Sequence, residues 1–170
     1  MCGVNWYLLY IHTNLQAKRV VGVSILTSGM SMEASFRTVH RNAAIGKILI
    51  QTNVRTGEPE LHYSKLPNLE GASIIVMDST LSTGATAMMA VRVLLDHGVA
   101  EADIIFTTMI ASKPGCHWLA NAFPSLRVVA SAIDDIKPEQ HTLTPGMGDF
   151  GRRYFGNERR NTTAKTPVKD

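Results

Sequence analysis

Several large protein classes are excluded by what this chain lacks. It has only two cysteines, Cys2 and Cys116, too few for a disulfide framework or a cysteine-built metal site, so a reducing compartment is the simpler setting. Its longest early apolar stretch, Trp6 to Ile11, is too short to span a bilayer, and no basic residue precedes it. A soluble cytoplasmic protein without a membrane partner is therefore expected. There is no strong charge of either sign. The net charge is +3, and Arg159 to Asp170 alone carries four basic residues against one acidic residue. That leaves a nearly neutral body and excludes a broad nucleic-acid surface. No Gly-Lys-Ser/Thr closes a Walker loop, and no Gly-x-Gly-x-x-Gly turn is found. What remains is 170 residues at 45% hydrophobic, enough for one well-buried domain but not two.

Apolar strands alternate with helical patterns. Arg19 to Leu26 reads as a buried strand ending at Thr27-Ser28-Gly29, and Met32 to Val39 has helical spacing. Ile45 to Gln51 is a second strand, and the Arg55-Thr56-Gly57-Glu58-Pro59 turn leads to another around Leu61 to Tyr63. Ser73 to Met77 is the central strand. The following helix sets Ala87, Met88, Val91, Leu94 and Leu95 on one side and stops at Gly98, with His97 complementing its dipole. Asp103 to Ile110 is a strand, Gly115 to Ala122 a short helix packed by His117 and Trp118, and Leu126 to Ile133 a further strand. Continuous apolar strands alternating with helices predict an α/β fold, a mainly parallel sheet with helices on both faces. Ligands bind such sheets beyond the carboxyl ends of the strands. Thr27 to Gly29, Gln51 to Asn53, Asp78 to Thr86, Ala111 to Gly115 and Asp134-Asp135 are expected to gather there.

The most informative segment runs from Ile74 to Thr86, where an apolar run ends in Asp78 and continues Ser79-Thr80-Leu81-Ser82-Thr83-Gly84-Ala85-Thr86 into a helix. Strand, polar loop and helix start present backbone N–H groups to an anion. The Asp78 carboxylate can accept hydrogen bonds from two adjacent sugar hydroxyls. Ser82, Thr83 and Thr86 offer donors, and Gly84 lets the backbone approach a phosphate. The same residues would equally serve a capped helix start with no ligand. A second block, Thr144 to Gly156, holds Gly146, Gly148 and Gly151 around Asp149, with Phe150, Tyr154 and Phe155 nearby. It reads as irregular structure that lays bare backbone against a flat polar ring, with Asp149 anchoring a water or metal. Taken alone, it also reads as a functionless glycine-rich loop.

Four ordered motifs resemble the uracil phosphoribosyltransferase family, and specifically the transferase-like half of eukaryotic uridine kinase-like proteins. They are Ile45 to Asn53, Thr56 to Tyr63 with Lys65-Leu66-Pro67, Met77-Asp78 through Thr86, and Pro145 to Gly151 with Tyr154-Phe155-Gly156. The resemblance covers about Val20 to Gly156. It implies a type I phosphoribosyltransferase-like fold over 20–156, flanked by an atypical segment at 1–19 and a disordered basic tail at 157–170. Met1 to Gln16 does not resemble the N-terminal helices of the family. The implied activity is transfer of the phosphoribosyl group from PRPP to N1 of uracil, giving UMP and diphosphate in pyrimidine salvage. Asp78, Ser79, Thr80, Leu81, Ser82, Thr83, Gly84, Ala85, Thr86 and Asp149 then match PRPP-binding positions. Leu143, Gly148, Asp149 and Phe150 match uracil-binding positions, and Asp78 and Asp149 are the catalytic candidates. Mg²⁺ would accompany PRPP or diphosphate, with no metal ligands assigned in the protein. The implied partners are the small molecules uracil, PRPP and UMP; a homo-oligomer is compatible with the family, and no nucleic acid is implied.

Departures from the family pattern divide the functional reading. A Leu-Arg-Ala-Gly segment typical of the family is here Leu26-Thr27-Ser28-Gly29, a second family arginine aligns with Thr52, and Arg152 replaces an acid. Losing a well-placed charged contact in the transition state costs ~10²–10³ in rate. One reading is a working transferase whose phosphate contacts are rebuilt from Mg²⁺ and other cations, with Arg37, Lys47 and Arg55 as candidates. Another is a regulatory nucleotide- or PRPP-binding module with little turnover, and a third is a fragment of a kinase-fused protein. Lys65 reads as a solvated lysine and Cys116 as an inert thiol.

Overall fold

The structure is a computed structural model and describes residues 18–53, 55–137 and 142–156. Its elements are β1 Arg19–Leu26, α1 Glu33–Val39, β2 Ala44–Thr52, β3 Pro59–Lys65, β4 Ala72–Leu81, α2 Ala85–Asp96, β5 Ile104–Ser112, α3 Lys113–Ala122, β6 Arg127–Lys137, β7 Thr142–Thr144 and α4 Phe150–Tyr154. Short 3₁₀ turns lie at Ser28–Met32 and Glu101–Asp103. The strands form one seven-stranded sheet in the order β3-β2-β1-β4-β5-β6-β7. Strands β2, β1, β4, β5 and β6 run parallel, while β3 and β7 pair antiparallel at the edges. The expected mainly parallel sheet is what the chain forms.

Alternation along the strands builds two different faces. Val21, Val23 and Ile25 of β1 join Ile74 and Val76 of β4, Phe106 of β5 and the Ala87, Ala90, Val91 and Leu94 stripe of α2 in one apolar cluster that also takes in Leu119 of α3. Each such fully buried aliphatic or aromatic side chain stabilises the fold by about 1.5–3 kcal/mol. Gly22 and Ser24 point the other way. A Cβ on Gly22 would stand 2.9 Å from the Phe36 ring of α1. The Ser24 hydroxyl donates to Glu33 Oε1 at 2.6 Å, and Lys47 ion-pairs with the same oxygen. Helices therefore cover both faces. The chain winds from β1 out through β2 to β3, then crosses back to place β4 on the other flank of β1. Strand order reverses between β1 and β4, which is where an open α/β sheet forms a crevice.

Several local expectations are corrected. Strand β4 does not stop at Met77 but continues through Asp78-Ser79-Thr80-Leu81, because Asp78 pairs with Thr108, Thr80 with Ile110 and Leu81 with Ala111. Strand β6 runs past Ile133 to Lys137, drawn out by antiparallel pairing of Asp135 with Thr144 and Ile136 with Leu143. The glycine block is not wholly irregular: Asp149 N-caps α4 by accepting the Arg152 amide at 3.4 Å. Trp118 is 59% exposed and His117 is exposed too, so α3 packs through Gly115 and Leu119 instead. Helix α2 ends as expected, with His97 Nδ1 2.7 Å from the Val93 carbonyl and Gly98 at φ 80°. The tail at 157–170 and nearly all of the 1–19 segment lie outside the described residues.

Candidate functional site

The crevice between β1 and β4 is built around Asp78. Its neighbours Val76 and Met77 are buried in the sheet, and Asp78 itself is only 8% exposed. The carboxylate accepts the Ser28 hydroxyl at 2.5 Å and the Ser79 amide at 2.8 Å. Burial pushes its pKa from 3.8 up to about 6, while the hydrogen bonds from Ser28 and from the Ser79 and Thr80 amides pull the other way. Ser28 is held there by its own 3₁₀ turn, which seats so closely on β4 that a Cβ on Gly29 would lie 2.1 Å from the Met77 carbonyl.

Beyond Leu81 the turn proper is only Ser82-Thr83-Gly84. Gly84 adopts φ 84° as the residue preceding α2, and no side chain caps that helix start. The Ala85 amide reaches Thr83 Oγ1 only at 3.5 Å. Amides of a first helical turn have no partner within the helix, so this start resembles an anion cradle more than a self-satisfied cap. The turn is braced from behind by the start of α3. Ser112 Oγ donates to the Ser82 carbonyl at 2.5 Å and accepts the Gly115 amide at 2.8 Å. A Cβ on Gly115 would stand 2.3 Å from the Ser82 oxygen.

Two clefts open here. The first, about 210 Å³, is lined by Asp78, Thr80, Leu81, Ser82, Thr83, Gly84, Ala85 and Thr86, with Ser28 and Ile50 opposite. The second, about 290 Å³, is lined by Thr27, Ser28, Ser79, Thr80, Gly148, Asp149, Phe150, Gly151 and Arg152. They share Ser28 and Thr80, so they adjoin. Helix α4 reaches the second cleft by packing on the 3₁₀ turn, where a Cβ on Gly151 would lie 3.4 Å from Thr27 Oγ1. Asp149 pairs with Arg152 at 2.9 Å, both side chains more than half exposed.

The predicted residues thus divide between the two clefts, with Thr80 in both. Asp78 and Thr80 to Thr86 line the first cleft, whereas Ser79 turns to the second along with Gly148, Asp149 and Phe150. Leu143 is buried in β7 and lines neither. Gln51-Thr52-Asn53 and Asp134-Asp135 were expected at the ligand end but line neither cleft; Asp134 instead accepts the Gly146 amide at 2.9 Å. The candidate substitute cations are elsewhere: Lys47 is committed to Glu33, and neither Arg37 nor Arg55 lines a cleft. Lys65 is exposed on β3. Arg152 is the one Lys or Arg in either lining. Half-buried Cys116 has its thiol pKa pushed up by burial, which disfavours the reactive thiolate. The bracing role of Ser112 escaped the sequence reading, although a serine followed by Lys113-Pro114-Gly115 carries the signature of an N-cap.

Comparison with known proteins gives a consistent result. The family model described as uracil phosphoribosyltransferase matches residues 9–157, beginning ahead of Val20. Uridine-cytidine kinase-like 1 of Mus musculus is 47% identical over 150 residues, covering 88% of this chain and 27% of that protein. The uracil phosphoribosyltransferase of Dictyostelium discoideum is 42% identical over 143 residues, covering 84% of this chain and 66% of that protein. The chain thus spans between about a quarter and two thirds of the length of these relatives. Among solved structures, the AQ2163 protein of Aquifex aeolicus superposes with a TM-score of 0.77 at 28% identity over 84% of this chain and 68% of that one. A purine phosphoribosyltransferase of Pyrococcus horikoshii shares the fold at a TM-score of 0.51 and 14% identity, over 69% and 70% of the two chains.

Proposed function

The chain belongs to the uracil phosphoribosyltransferase family, and on that premise we propose that its adjoining clefts take PRPP and uracil side by side and join them into UMP. In this reaction N1 of uracil gives its proton to water and attacks C1′ of the ribose, while the bond from C1′ to the diphosphate oxygen breaks and its electron pair leaves on the diphosphate. The observation that carries the reading is the shared wall: Ser28 and Thr80 belong to both clefts, and Ser28 is fixed by its hydrogen bond to Asp78. Asp78 would accept the ribose hydroxyls, and the Ser82-Thr83-Gly84 turn with the start of α2 would hold the 5′-phosphate. Gly148, Asp149 and Phe150 would bring main-chain groups to the ring edge. Bringing the two reactants together in a fixed geometry supplies most of the catalysis open to such a site.

Turnover is expected to be slow. No Lys or Arg lines the first cleft, and Arg152 at the second is already paired with Asp149. By the resemblance to the family, Thr27 and Thr52 take positions where arginines are expected. Mg²⁺ would accompany the diphosphate and neutralise its charge. A cytoplasmic role in pyrimidine salvage agrees with the family. Among the described residues no helix is long and apolar enough to cross a membrane.

An assay of UMP formation with labelled uracil and Mg²⁺-PRPP tests the reading. Turnover well below about 1 s⁻¹ is expected, and Thr27→Arg is expected to raise it about tenfold or more. Absence of PRPP and UMP binding by calorimetry would overturn the proposal. The cation-poor lining also favours a second reading, a nucleotide-binding regulatory module. Binding of UMP with no turnover in either the wild type or Thr27→Arg would establish that one.

A further inference from the structure

Successive residues of β4 point to opposite faces of the sheet. Ile74 and Val76 lie on the α2 side, and the Met77 side chain approaches Gly22 on the other, beside Phe36. Ser79 is 1% exposed and lines the second cleft. Its Oγ is the one buried side-chain oxygen or nitrogen among the described residues that has no hydrogen-bond partner. The Ser28 hydroxyl donates to Asp78, and the amide of Ser79 donates to the same carboxylate. Buried hydroxyls are almost always paired, and one that is not costs the fold its full desolvation penalty. The orphan here belongs to a residue that lines a cleft, so a turn of its side chain toward that cleft would give it a bound molecule as partner.

We propose that Ser79 is a specificity-determining residue of the second cleft, its hydroxyl donating a hydrogen bond to a ring carbonyl of the base bound there. The inference rests on the assignment of that cleft to the base and adds a side-chain contact to the main-chain readout offered by the glycine block. Main-chain groups recognise the outline of a polar ring but cannot be changed by substitution. A hydroxyl donor at a fixed point selects rings that present a carbonyl to it and leaves ribose and phosphate contacts untouched. A site built to hydrogen-bond one substrate atom discriminates strongly against ligands that lack it.

The test is the affinity of wild type and Ser79→Ala for UMP and for ribose 5-phosphate, measured by calorimetry beside a thermal melt. Ser79→Ala is expected to weaken UMP binding about 5–10-fold and to leave ribose 5-phosphate unchanged. Ser79→Cys, close in volume with a weak donor, is expected to fall between and serves if the alanine variant does not fold. Unchanged UMP affinity in a variant that melts higher would overturn the inference, because the hydroxyl would then be only a tolerated defect. Equal weakening toward both ligands would overturn it as well. A wild type that binds ribose 5-phosphate but not UMP would overturn the base-cleft assignment and this inference with it.

Discussion

The two clefts meet at Ser28 and Thr80 yet are made in opposite ways. The first is cut into the centre of a parallel sheet. Its acid is 8% exposed and doubly hydrogen-bonded, and its turn is braced from behind by Ser112 and Gly115. The second is closed by a five-residue helix that rests on the Thr27-Ser28 turn and carries at its start an internal ion pair between side chains 53% and 61% exposed. Exposed pairs of that kind contribute about 0–1 kcal/mol. A site set into the core is organised before its ligand arrives, whereas one walled by a short peripheral helix can adjust to it. On the proposed assignment, the sugar-phosphate side would be the rigid half of recognition and the base side the adaptable half.

Asp78→Asn should open the widest gap between the halves. It removes the charge and one of the two oxygens proposed to accept the ribose hydroxyls, and UMP formation should drop ~10²–10³-fold. Stability should move the other way. The folded pKa of about 6 lies above the unfolded value of 3.8, so the native state keeps a proton that the unfolded chain releases. Stability therefore falls as pH rises from about 4 to about 6, by up to about 3 kcal/mol, and stays low above that. Asparagine abolishes that slope. Urea midpoints near pH 4 and pH 8 that show the same slope in wild type and variant would refute the account of a buried, strained carboxylate.

Gly115→Ala should act next in size. A methyl group 2.3 Å from the Ser82 carbonyl forces the turn to shift, at about 1–3 kcal/mol. The melting temperature should fall by several degrees and ribose 5-phosphate affinity should weaken with it. A variant with unchanged melting and binding would show that the first cleft is less rigid than its bracing implies. Arg152→Ala should do least: less than about 1 kcal/mol in a denaturant melt, with ribose 5-phosphate binding intact. A large loss of stability there would erase the contrast between the clefts.

The contrast also explains what could be read without coordinates. Apolar runs such as Val20 to Leu26 and Ile104 to Ile110 announce buried parallel strands directly, and the core followed from them. Asp78 to Leu81 did not look like strand, because an acid and two hydroxyl residues mask a ladder whose continuation is set by β5 pairing. Helix α4 was hidden by glycines, since its one cap is a hydrogen bond from Arg152 to Asp149 and its packing surface is the distant Thr27-Ser28 turn. Motif spacing located the residues of the two clefts. It could not show that Ser79 and Asp78, adjacent in the chain, look into different ones, nor that Leu143 is enclosed in β7.

The back-crossing that creates the crevice also sets the order of assembly. Strand β1 must wait for β4, with Arg19 in register with Ala72 and Ser24 with Met77. The first of the described strands thus finds one of its two neighbours only after β2 and β3 have emerged. Loop closure over so long a separation is slow compared with local hairpins and helices. At a synthesis rate of about 5–20 residues per second, the apolar edge of β1 stays uncovered for several seconds on the ribosome. The reversal that makes room for a ligand thus also leaves a nascent chain dependent on protection while it grows.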